Sequence, residues 1–501
     1  MPVLGDLLAL LALAVVVLAG WLTWRRPFIG LGVLVAGMAF HNFLIMVLVR
    51  LGTLPVFIRT VQIWKEAIIA LLVVVAGLRL YRAYRDGSLG RPTALDWVAG
   101  AFLLVMLVYL VLPSSVLDGH ASTQQRLAAF RIVALFPVLY ALGRTYKPAN
   151  LRDVAVVAWL VVGAAAVVGA FGLIELWFVP TRAWLDWGVN DFSAWLGFHY
   201  SGPRGLPENF FQTLGVGLYL RRMVSTYLSP LGIAYTGLLV FPIGVVLLAV
   251  QRKRSYGQTL AIIAMVLLLA GILLSVTRLA LLSLVGEVVL IAIIVRRPWA
   301  YISAPLVIAA VLAVIIVYPQ IGPVVDDNLN HPISARSGGV ISASDPSLLE
   351  HLKTVAADLK VAVRHPLGEG LGSSGTSAVR FSSTASSSPD YAPGESAILT
   401  MFVDTGVLGG FLYLALYLLG LYVSARGLLA AHRGSIESAL PMAAVVGGLA
   451  LIPITITNDV WGDLSVTFLF WWAVGYSATL AAGRETASRS GLITRNRATV
   501  A

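Results

Sequence analysis

Residues 258–295 read QTLAIIAMVLLLAGILLSVTRLALLSLVGEVVLIAIIV, and this stretch decides the fold. It contains two apolar runs, 258–276 and 279–295, each near the roughly 20 residues that a helix needs to cross a bilayer. A short polar turn that ends at Arg278 separates them. Because a backbone in lipid must satisfy its own hydrogen bonds, the stretch predicts a hairpin of two membrane-spanning helices.

Eleven further apolar runs repeat this pattern along the chain. They lie at 4–23, 28–49, 63–80, 95–113, 127–143, 153–178, 229–250, 300–318, 397–424, 438–456 and 464–482. Charged residues make up 12% of the sequence, whereas a soluble domain carries about 25%. The sequence therefore predicts an all-α, polytopic transmembrane bundle of about 12–13 spanning helices.

Basic residues lie in alternate connections between these runs, for example at 25–26, 252–254 and 296–297. Positively charged connections stay in the cytoplasm, so we expect the N-terminus outside and the C-terminus inside. The same rule accounts for the net charge of +11, and we expect no nucleic-acid partner.

There is no cysteine, which excludes disulfides and thiolate metal sites.

Three cations contradict this simple alternation. Arg50, Arg59 and Lys65 lie on the side that is predicted to be outside. The topology of the first three helices is therefore open at this stage.

Two long connections, 179–228 and 319–396, are predicted to lie outside. Within the second, residues 345–364 have helical character, because apolar side chains recur at i, i+3 and i+4 spacing. These are Leu348, Leu349, Leu352, Val355, Ala356, Leu359 and Val363. A Gly-rich turn follows at 365–372, and the Ser/Thr-rich stretch 373–388 is expected to be flexible. The sequence thus predicts a large, partly helical, extracytoplasmic loop.

A few charges fall inside or at the ends of the apolar runs, where they are expensive. Arg131 and Glu287 lie within runs, Arg278 lies between two, and Asp459 lies near the outer end of another. Each costs about 2.5–3.5 kcal/mol or more at the bilayer centre, so such residues usually face a polar interior. A structural ion pair or a snorkelling side chain would explain any one of them alone. Together, Arg131, Arg222 and Arg278 indicate a cationic site for a diphosphate.

Four segments, in order, resemble the O-antigen ligase and polymerase family of membrane glycosyltransferases. They are RMVSTYLSPLGIA at 222–234, SVTRLALL at 275–282, the stretch from His351 through RHPLGEGLG at 364–372, and ESAILTMFVDTGVLGG at 395–410. The resemblance covers roughly 220–425. It divides the chain into N-terminal helices and first outer loop (1–218), a ligase-like module with the loop 319–396 (219–425), and C-terminal helices with a basic tail (426–501).

The resemblance implies transfer of an oligosaccharide from undecaprenyl diphosphate to a glycan or glycolipid acceptor. The family acts at the outer face of the bacterial cytoplasmic membrane, so we expect a multi-pass protein with an outward-facing active site. Ligases use lipid A–core as acceptor, and polymerases use another lipid-linked repeat unit. The further partners would be membrane lipids, and no metal or other cofactor is expected.

The resemblance also implies roles for individual residues. Arg222 and Arg278 would hold the diphosphate. Glu395 stands where the ligases have a histidine; a carboxylate can also be a general base, and the change favours a polymerase-like or divergent enzyme. Further substrate-binding candidates are Arg131, Arg221, Arg364, His365 and Asp459. Alternatively, Glu395 only caps a helix or pairs with an arginine.

We expect direct displacement at the anomeric carbon, with inversion and without a metal. The alternative is a transporter or flippase for a lipid-linked glycan, which would also need a cationic cavity, although no internal repeat is evident. A cell-wall polymerase of the shape, elongation, division and sporulation type is a third possibility, but its acidic loop motifs are not evident.

Overall fold

The computed structural model describes residues 2–489 except 89, 114–115, 118, 199–201, 216, 327–345, 381–393 and 433. Within these residues, thirteen helices are long and apolar enough to cross a membrane. The predicted polytopic, all-α bundle is therefore confirmed. Each helix lies over one of the thirteen apolar runs, because length and apolarity alone determine a spanning segment.

The helices are numbered in chain order. The first nine are α1 (Pro2–Arg25), α2 (Pro27–Arg50), α3 (Pro55–Gln62), α4 (Trp64–Arg85), α5 (Ala94–Val111), α6 (Thr123–Thr145), α7 (Leu151–Phe178), α8 (Ala183–Asp186) and α9 (Val189–Trp195). The others are α10 (Pro230–Val250), α11 (Tyr256–Leu274), α12 (Arg278–Val295), α13 (Pro298–Ile316), α14 (Tyr318–Ile321), α15 (Pro346–Arg364), α16 (Gly375–Arg380), α17 (Ala397–Ala430), α18 (Ala439–Met442), α19 (Gly448–Thr457) and α20 (Leu464–Arg489).

Helices α3, α8, α9 and α14–α16 do not span. Helices α18 and α19, joined by a π-helical turn at Ala443–Gly447, belong to one span, Ile436–Thr457. The predicted helix at 345–364 is confirmed as α15. The stretch 373–388 was expected to be flexible throughout, but its first part forms α16; residues 381–388 lie outside the described residues.

The two long connections lie on the same face of the bundle, which we call the loop face. A small antiparallel sheet joins them: β1 (Phe211–Gly215) and β2 (Leu218–Arg221) come from the first, and β3 (Val324–Asp326) comes from the second. Leu220 pairs with Val324 in this sheet. The sequence did not predict it.

Contacts on this face explain two of the three cations that contradicted the alternation, Arg50 and Arg59. Arg50 Nε donates to the carbonyl of Asp186 at 2.8 Å, and its guanidinium lies 3.4 Å from Asp191. The Arg59 guanidinium lies 5.8 Å from the centre of the Trp195 ring. The connection from α2 to α4 therefore packs against the first long connection, so both are on the loop face.

Aromatic residues fill the core beneath the loop face. Phe136 of α6 stacks on Trp471 of α20 with ring centres 5.3 Å apart, and it contacts Trp461 at 5.4 Å. Trp461 belongs to the turn between α19 and α20, and its indole N–H donates to Tyr413 at 2.7 Å. The core thus fixes a turn that carries acidic residues.

Candidate active site on the loop face

The α11–α12 turn, at the loop-face end of the hairpin that opened the sequence analysis, brings two arginines together. Arg222 follows β2, and its Nε donates to the carbonyl of Ser275 at 2.8 Å. Its Nη2 donates to Thr277 Oγ1, also at 2.8 Å. Arg278 begins α12 directly after this turn. Two guanidinium groups that are distant in sequence are therefore neighbours.

The environment of this pair is unfavourable for positive charge. Arg222 is only 9% exposed, and its burial lowers its pKa to about 10, with a further contribution from the charge of Arg278. Arg222 remains charged at neutral pH. Two like charges this close repel each other, and an anion bound between them would offset that repulsion.

The backbone around the pair is strained. Ser225, Leu228 and Val276 have positive φ values of 49°, 55° and 50°, which non-glycine residues rarely adopt. Such conformations cost about 1–3 kcal/mol each and cluster at functional sites. They are independent support for a site here.

Arg221 differs from its neighbour Arg222. Its Nη2 lies 3.0 Å from Glu175 Oε1, and its Nη1 donates to the carbonyl of Val179 at 2.8 Å. The Glu175 carboxylate also accepts from the Trp184 indole at 3.0 Å. These contacts are those of a structural ion pair, and they do not favour the predicted role of Arg221 in substrate binding.

The turn between α19 and α20 carries two acidic residues. Asp459 Oδ2 accepts a hydrogen bond from Thr376 Oγ1 at 2.9 Å, and burial raises the pKa of Asp459. Asp463 lies at the other end of this turn, where a Cβ placed on Gly232 would be 3.3 Å from its Oδ1. Burial, followed by the charge of Asp459, raises the pKa of Asp463 to about 7. The turn between α19 and α20 therefore lies between the start of α10 and α16 and contacts both.

Glu395 lies directly before α17 and is half-buried. The next residue, Ser396, caps α17 by accepting from the Leu399 N–H at 3.1 Å, and its hydroxyl donates to the Thr455 carbonyl at 3.3 Å. The capping role that Glu395 could have had is thus taken by Ser396. Glu395 stands next to the loop-face end of α19.

Asp358 of α15 is fully buried beside Glu395. Its Oδ1 accepts from the Gly394 N–H at 3.1 Å. Burial raises the pKa of Asp358 to about 6, and the charge of Glu395 contributes in the same direction. Asp358 therefore holds the backbone that carries Glu395 and places a second carboxyl group next to it.

The arginine pair and Glu395 flank the same helix end. A groove between α12 and α19 is lined by Leu279 and Pro453, among others, so these two residues are level with each other. Leu279 follows Arg278, and Pro453 is two residues before Thr455, which Ser396 contacts. Arg278 and Glu395 thus both lie near the loop-face end of α19.

Residues 263–414 match the family model for O-antigen ligase. Over these residues the chain is similar to an O-antigen ligase domain, and the segment 263–414 is called the O-antigen ligase domain below. This confirms the resemblance seen in the sequence over those residues. The match begins within α11 and ends within α17, so it includes Arg278, α15 and Glu395, whereas Arg222 precedes it. No curated protein matches the chain at a significant level.

The Gly-rich turn of the O-antigen ligase domain docks into a break in α17. The Gly370 N–H donates to the Asp404 carbonyl at 2.9 Å, and the Val407 N–H donates to the Pro366 carbonyl at 2.9 Å. The Asp404 carboxylate accepts from the Gly372 N–H at 2.7 Å. Asp404 thus ties the turn to the helix that follows Glu395.

Only glycine fits where the turn meets the helix. Gly406 has φ 63° and ψ −163°, and a Cβ on it would lie 2.3 Å from the Pro366 carbonyl oxygen. A Cβ on Gly368, whose φ is 77°, would lie 2.5 Å from the Gly406 nitrogen. These close approaches explain why glycine stands at 368 in PLGEGLG (366–372) and at 406 in GVLG (406–409).

Arg364 and His365 lie at the edge of this turn. Arg364 ends α15 and is exposed, and His365 Nε2 lies 3.5 Å from Glu369 Oε1. Their predicted contacts with substrate stay predictions.

Arg131 belongs to a polar cluster with α4 and α2. Its Nη1 lies 3.4 Å from Glu66 Oε1, and Lys65 lies 3.4 Å from Glu66 Oε2. The Lys65 Nζ also lies 3.3 Å from His41 Nε2. Arg131 therefore contacts α4 through Glu66, and its role near the diphosphate stays a prediction.

Sequence reasoning missed Asp358, Asp404 and Asp463. Asp463 had a signal, because NDVWGD at 458–463 places two acidic residues in one loop-face turn. Asp358 and Asp404 had none, since each lies within a helical pattern and its importance depends on contacts with distant backbone.

Proposed function

We propose that this protein is a membrane glycosyltransferase that transfers or polymerises an undecaprenyl-diphosphate-linked oligosaccharide at the outer face of the cytoplasmic membrane. The loop face would be the outer face. The observation that supports this most directly is the pair Arg222 and Arg278, held together by the α11–α12 turn, which lies within residues 263–414.

The proposed reaction is a displacement at the anomeric carbon of the donor sugar. The acceptor hydroxyl attacks this carbon and gives its proton to the carboxylate of Glu395. The bond from the anomeric carbon to the diphosphate oxygen breaks, and the lipid diphosphate leaves with the electron pair. Attack opposite the leaving group inverts the anomeric configuration.

Arg222 and Arg278 would stabilise the charge that develops on the departing diphosphate. Fixed donors aimed at developing charge are usually the largest single contribution to catalysis. Two of the N–H groups of Arg222 are used to hold the α11–α12 turn, so its orientation is set before substrate binds. Positive charge from arginines would take the place of a metal ion.

The remaining candidates would bind sugars. Asp459 and Asp463 are carboxyl groups on a rigid turn, and carboxylates accept hydrogen bonds from sugar hydroxyls. Arg364 and His365 at the Gly-rich turn, and Arg131 on α6, would contact the glycan or the diphosphate.

The test uses the variant Glu395→Gln in purified protein reconstituted in lipid, with a lipid-linked glycan donor. Removing a general base costs about 10²–10⁴-fold in rate, so transfer should fall by at least about 100-fold while donor binding is retained. Asp191→Asn is the matched control, because Asp191 is an exposed acidic residue in the first connection, paired with Arg50. Wild-type activity should persist in excess chelator.

Three outcomes would contradict the proposal. Transfer by Glu395→Gln at the wild-type rate would exclude Glu395 as the base. An absolute requirement for a divalent ion would exclude the metal-independent reaction. Movement of intact lipid-linked glycan across the bilayer, without any transfer, would indicate a transporter instead.

A deletion strain would separate the two subclasses. Accumulation of single repeats on the lipid would indicate a polymerase, whereas long unattached chains would indicate a ligase.

A further inference from the structure

The face of α15 that was expected to be its apolar side is not buried. Leu359 and Val363 are 52% and 73% exposed, and Leu367 in the following turn is 66% exposed. The face that packs against the bundle instead carries Thr354, Asp358 and Val361. Large apolar side chains exposed in a row mark an interaction surface.

Two contacts show where the row of exposed apolar residues lies relative to the ends of the spanning helices. The Tyr109 hydroxyl donates to the Leu367 carbonyl at 2.6 Å, and Tyr109 is two residues from the loop-face end of α5 at Val111. The Gly372 backbone packs on Gln125, near the start of α6. The turn after α15 therefore lies level with the ends of two spanning helices.

The row also continues the lipid-facing surface of α17. Pro366 accepts the hydrogen bond from the Val407 N–H at 2.9 Å, which places Leu367 beside α17 just after its break. From that point α17 exposes Val407, Leu408 and Phe411 within its spanning segment. The exposed apolar surface of the α17 span therefore continues through Leu367 to the exposed apolar row of α15.

Basic residues flank the row on one side. Lys360 follows Leu359, Arg364 follows Val363, and Lys353 lies two turns before Lys360; all three are exposed. Among the side chains described on α15, residues 353–364, the exposed charges are all positive. A helix with an apolar stripe and adjacent Lys and Arg is typical of an interfacial helix, because the long stems let the charges reach the headgroups.

We infer that α15 and the turn after it bind the lipid surface at the loop face, with Leu359, Val363 and Leu367 in the hydrocarbon boundary and Lys353 and Lys360 on the phosphates of anionic phospholipids. The turn that carries the Gly-rich motif is then held at the membrane surface from two sides, by α17 and by lipid. This inference does not depend on the proposed reaction.

The chain has no cysteine, so single-cysteine variants can be labelled at one chosen place. Leu359→Cys and Val363→Cys would carry an environment-sensitive fluorophore, in full-length protein in nanodiscs with a phosphatidylglycerol-containing bilayer. Phe411→Cys is the lipid-facing control, and Asp191→Cys is the water-facing control. Quenching is measured with nitroxide-labelled phospholipids and, separately, with aqueous iodide.

We expect the labels at 359 and 363 to be quenched by the lipid nitroxide, like the label at 411, and protected from iodide. Iodide quenching equal to that at Asp191→Cys would overturn the inference, because the row would then face water. Protection from both quenchers would also overturn it, because protein, such as a second copy of this chain, would then cover the row.

A second arm tests the role of charge. The double change Lys353→Gln and Lys360→Gln, made in the Leu359→Cys background, should reduce lipid quenching in phosphatidylglycerol discs. In phosphatidylcholine discs the same pair of proteins should give equal quenching. Equal quenching of the two proteins in both lipids would refute the contact with anionic phosphates. Glycan transfer is not measured in either arm, so failure of the proposed function cannot be confused with failure here.

Discussion

At the scale of single residues, Arg221 and Arg222 show how one peptide bond separates two roles. Arg221 neutralises Glu175 in the interior, whereas Arg222 joins Arg278 at the loop face. The sequence alone presents them as a basic pair. Arg221 is the last residue of β2 and Arg222 lies just beyond it, and their side chains have different partners, Glu175 and the α11–α12 turn.

This division predicts different effects of the same conservative change. Arg222→Lys keeps the charge but loses the planar group that contacts Ser275 and Thr277, so glycan transfer should fall by roughly 30-fold, equivalent to about 2 kcal/mol for hydrogen bonds to a charged group. Arg221→Lys can still pair with Glu175, and transfer should stay near the wild-type rate. Equal losses of transfer in the two variants would contradict the assignment.

Asp358 predicts a pH dependence of stability. Its pKa is about 6 in the folded protein, against 3.8 for an unperturbed aspartate, so the folded state binds more protons between these pH values. Wild-type stability therefore loses the contribution of this group as pH rises from about 4 to about 6. Asp358→Asn keeps an acceptor oxygen for Gly394 and has no such loss.

The melting temperature of Asp358→Asn should therefore rise relative to that of the wild type between pH 4 and pH 6. Above pH 6 the difference between the two melting temperatures should be constant. Thermal unfolding in detergent across this range measures it. A difference that does not vary with pH would show that Asp358 is not buried as a proton-binding group.

At the scale of elements, the break in α17 is the feature on which the site's geometry depends. Gly406→Ala would force a residue with a Cβ into a conformation that costs about 1–3 kcal/mol, and this Cβ would meet the Pro366 carbonyl. We expect a lower melting temperature and loss of transfer, because the Gly-rich turn must move away from α17.

Gly163→Ala is the matched control. Gly163 lies within α7, and a Cβ on it would meet nothing within 4 Å, so this change should be neutral or slightly stabilising. If Gly406→Ala were as stable and as active as Gly163→Ala, the turn would not depend on the break.

The elements were predictable to different degrees. The spanning helices followed from runs of about 20 apolar residues, since lipid leaves few alternatives. The sheet β1–β2–β3 did not, because its strands have three to five residues and come from two connections that are distant in sequence. In α15 the helix was predictable but its buried face was not, since lipid is as apolar as a protein core and an apolar stripe does not identify the packed side.

At the scale of the whole molecule, Glu287 is a charge-bearing side chain buried at mid-span. It is 2% exposed, and neither carboxylate oxygen has a hydrogen-bond partner among the described residues. An unsatisfied buried polar group costs about 1–3 kcal/mol. Glu287→Leu should therefore raise the melting temperature of the bundle, and Glu287→Gln should raise it less, because an amide would still lack partners.

A lower melting temperature for Glu287→Leu would mean that the carboxyl group has a stabilising partner, such as a ligand in the groove between α12 and α19. Glycan transfer by the Glu287 variants tests whether the groove between α12 and α19 has a role in the reaction. If transfer falls while stability rises, the groove takes part in substrate binding.

The candidate site was predicted from the whole sequence, because charges inside apolar runs are costly and usually face a polar interior. Arg278 was predicted in this way, whereas Arg222 lies in the first long connection, outside the apolar runs. Arg131 followed from the same reasoning, yet its contacts are with Glu66. A charged side chain inside an apolar run is expected to have a partner. The sequence does not show whether that partner is a substrate or another side chain.

The Gly-rich turn rests on the N-terminal half of the chain. A Cβ on Gly119 would lie 1.7 Å from the Glu369 carbonyl oxygen, and one on Gly372 would lie 2.6 Å from that of Gln125. The matched segment 263–414 therefore packs directly against residues that precede it in the chain. A chimera that exchanges only this segment between two proteins with such a domain would place its Gly-rich turn against foreign helices α5 and α6. An exchange that keeps the native contacts of the turn must therefore include residues 94–145.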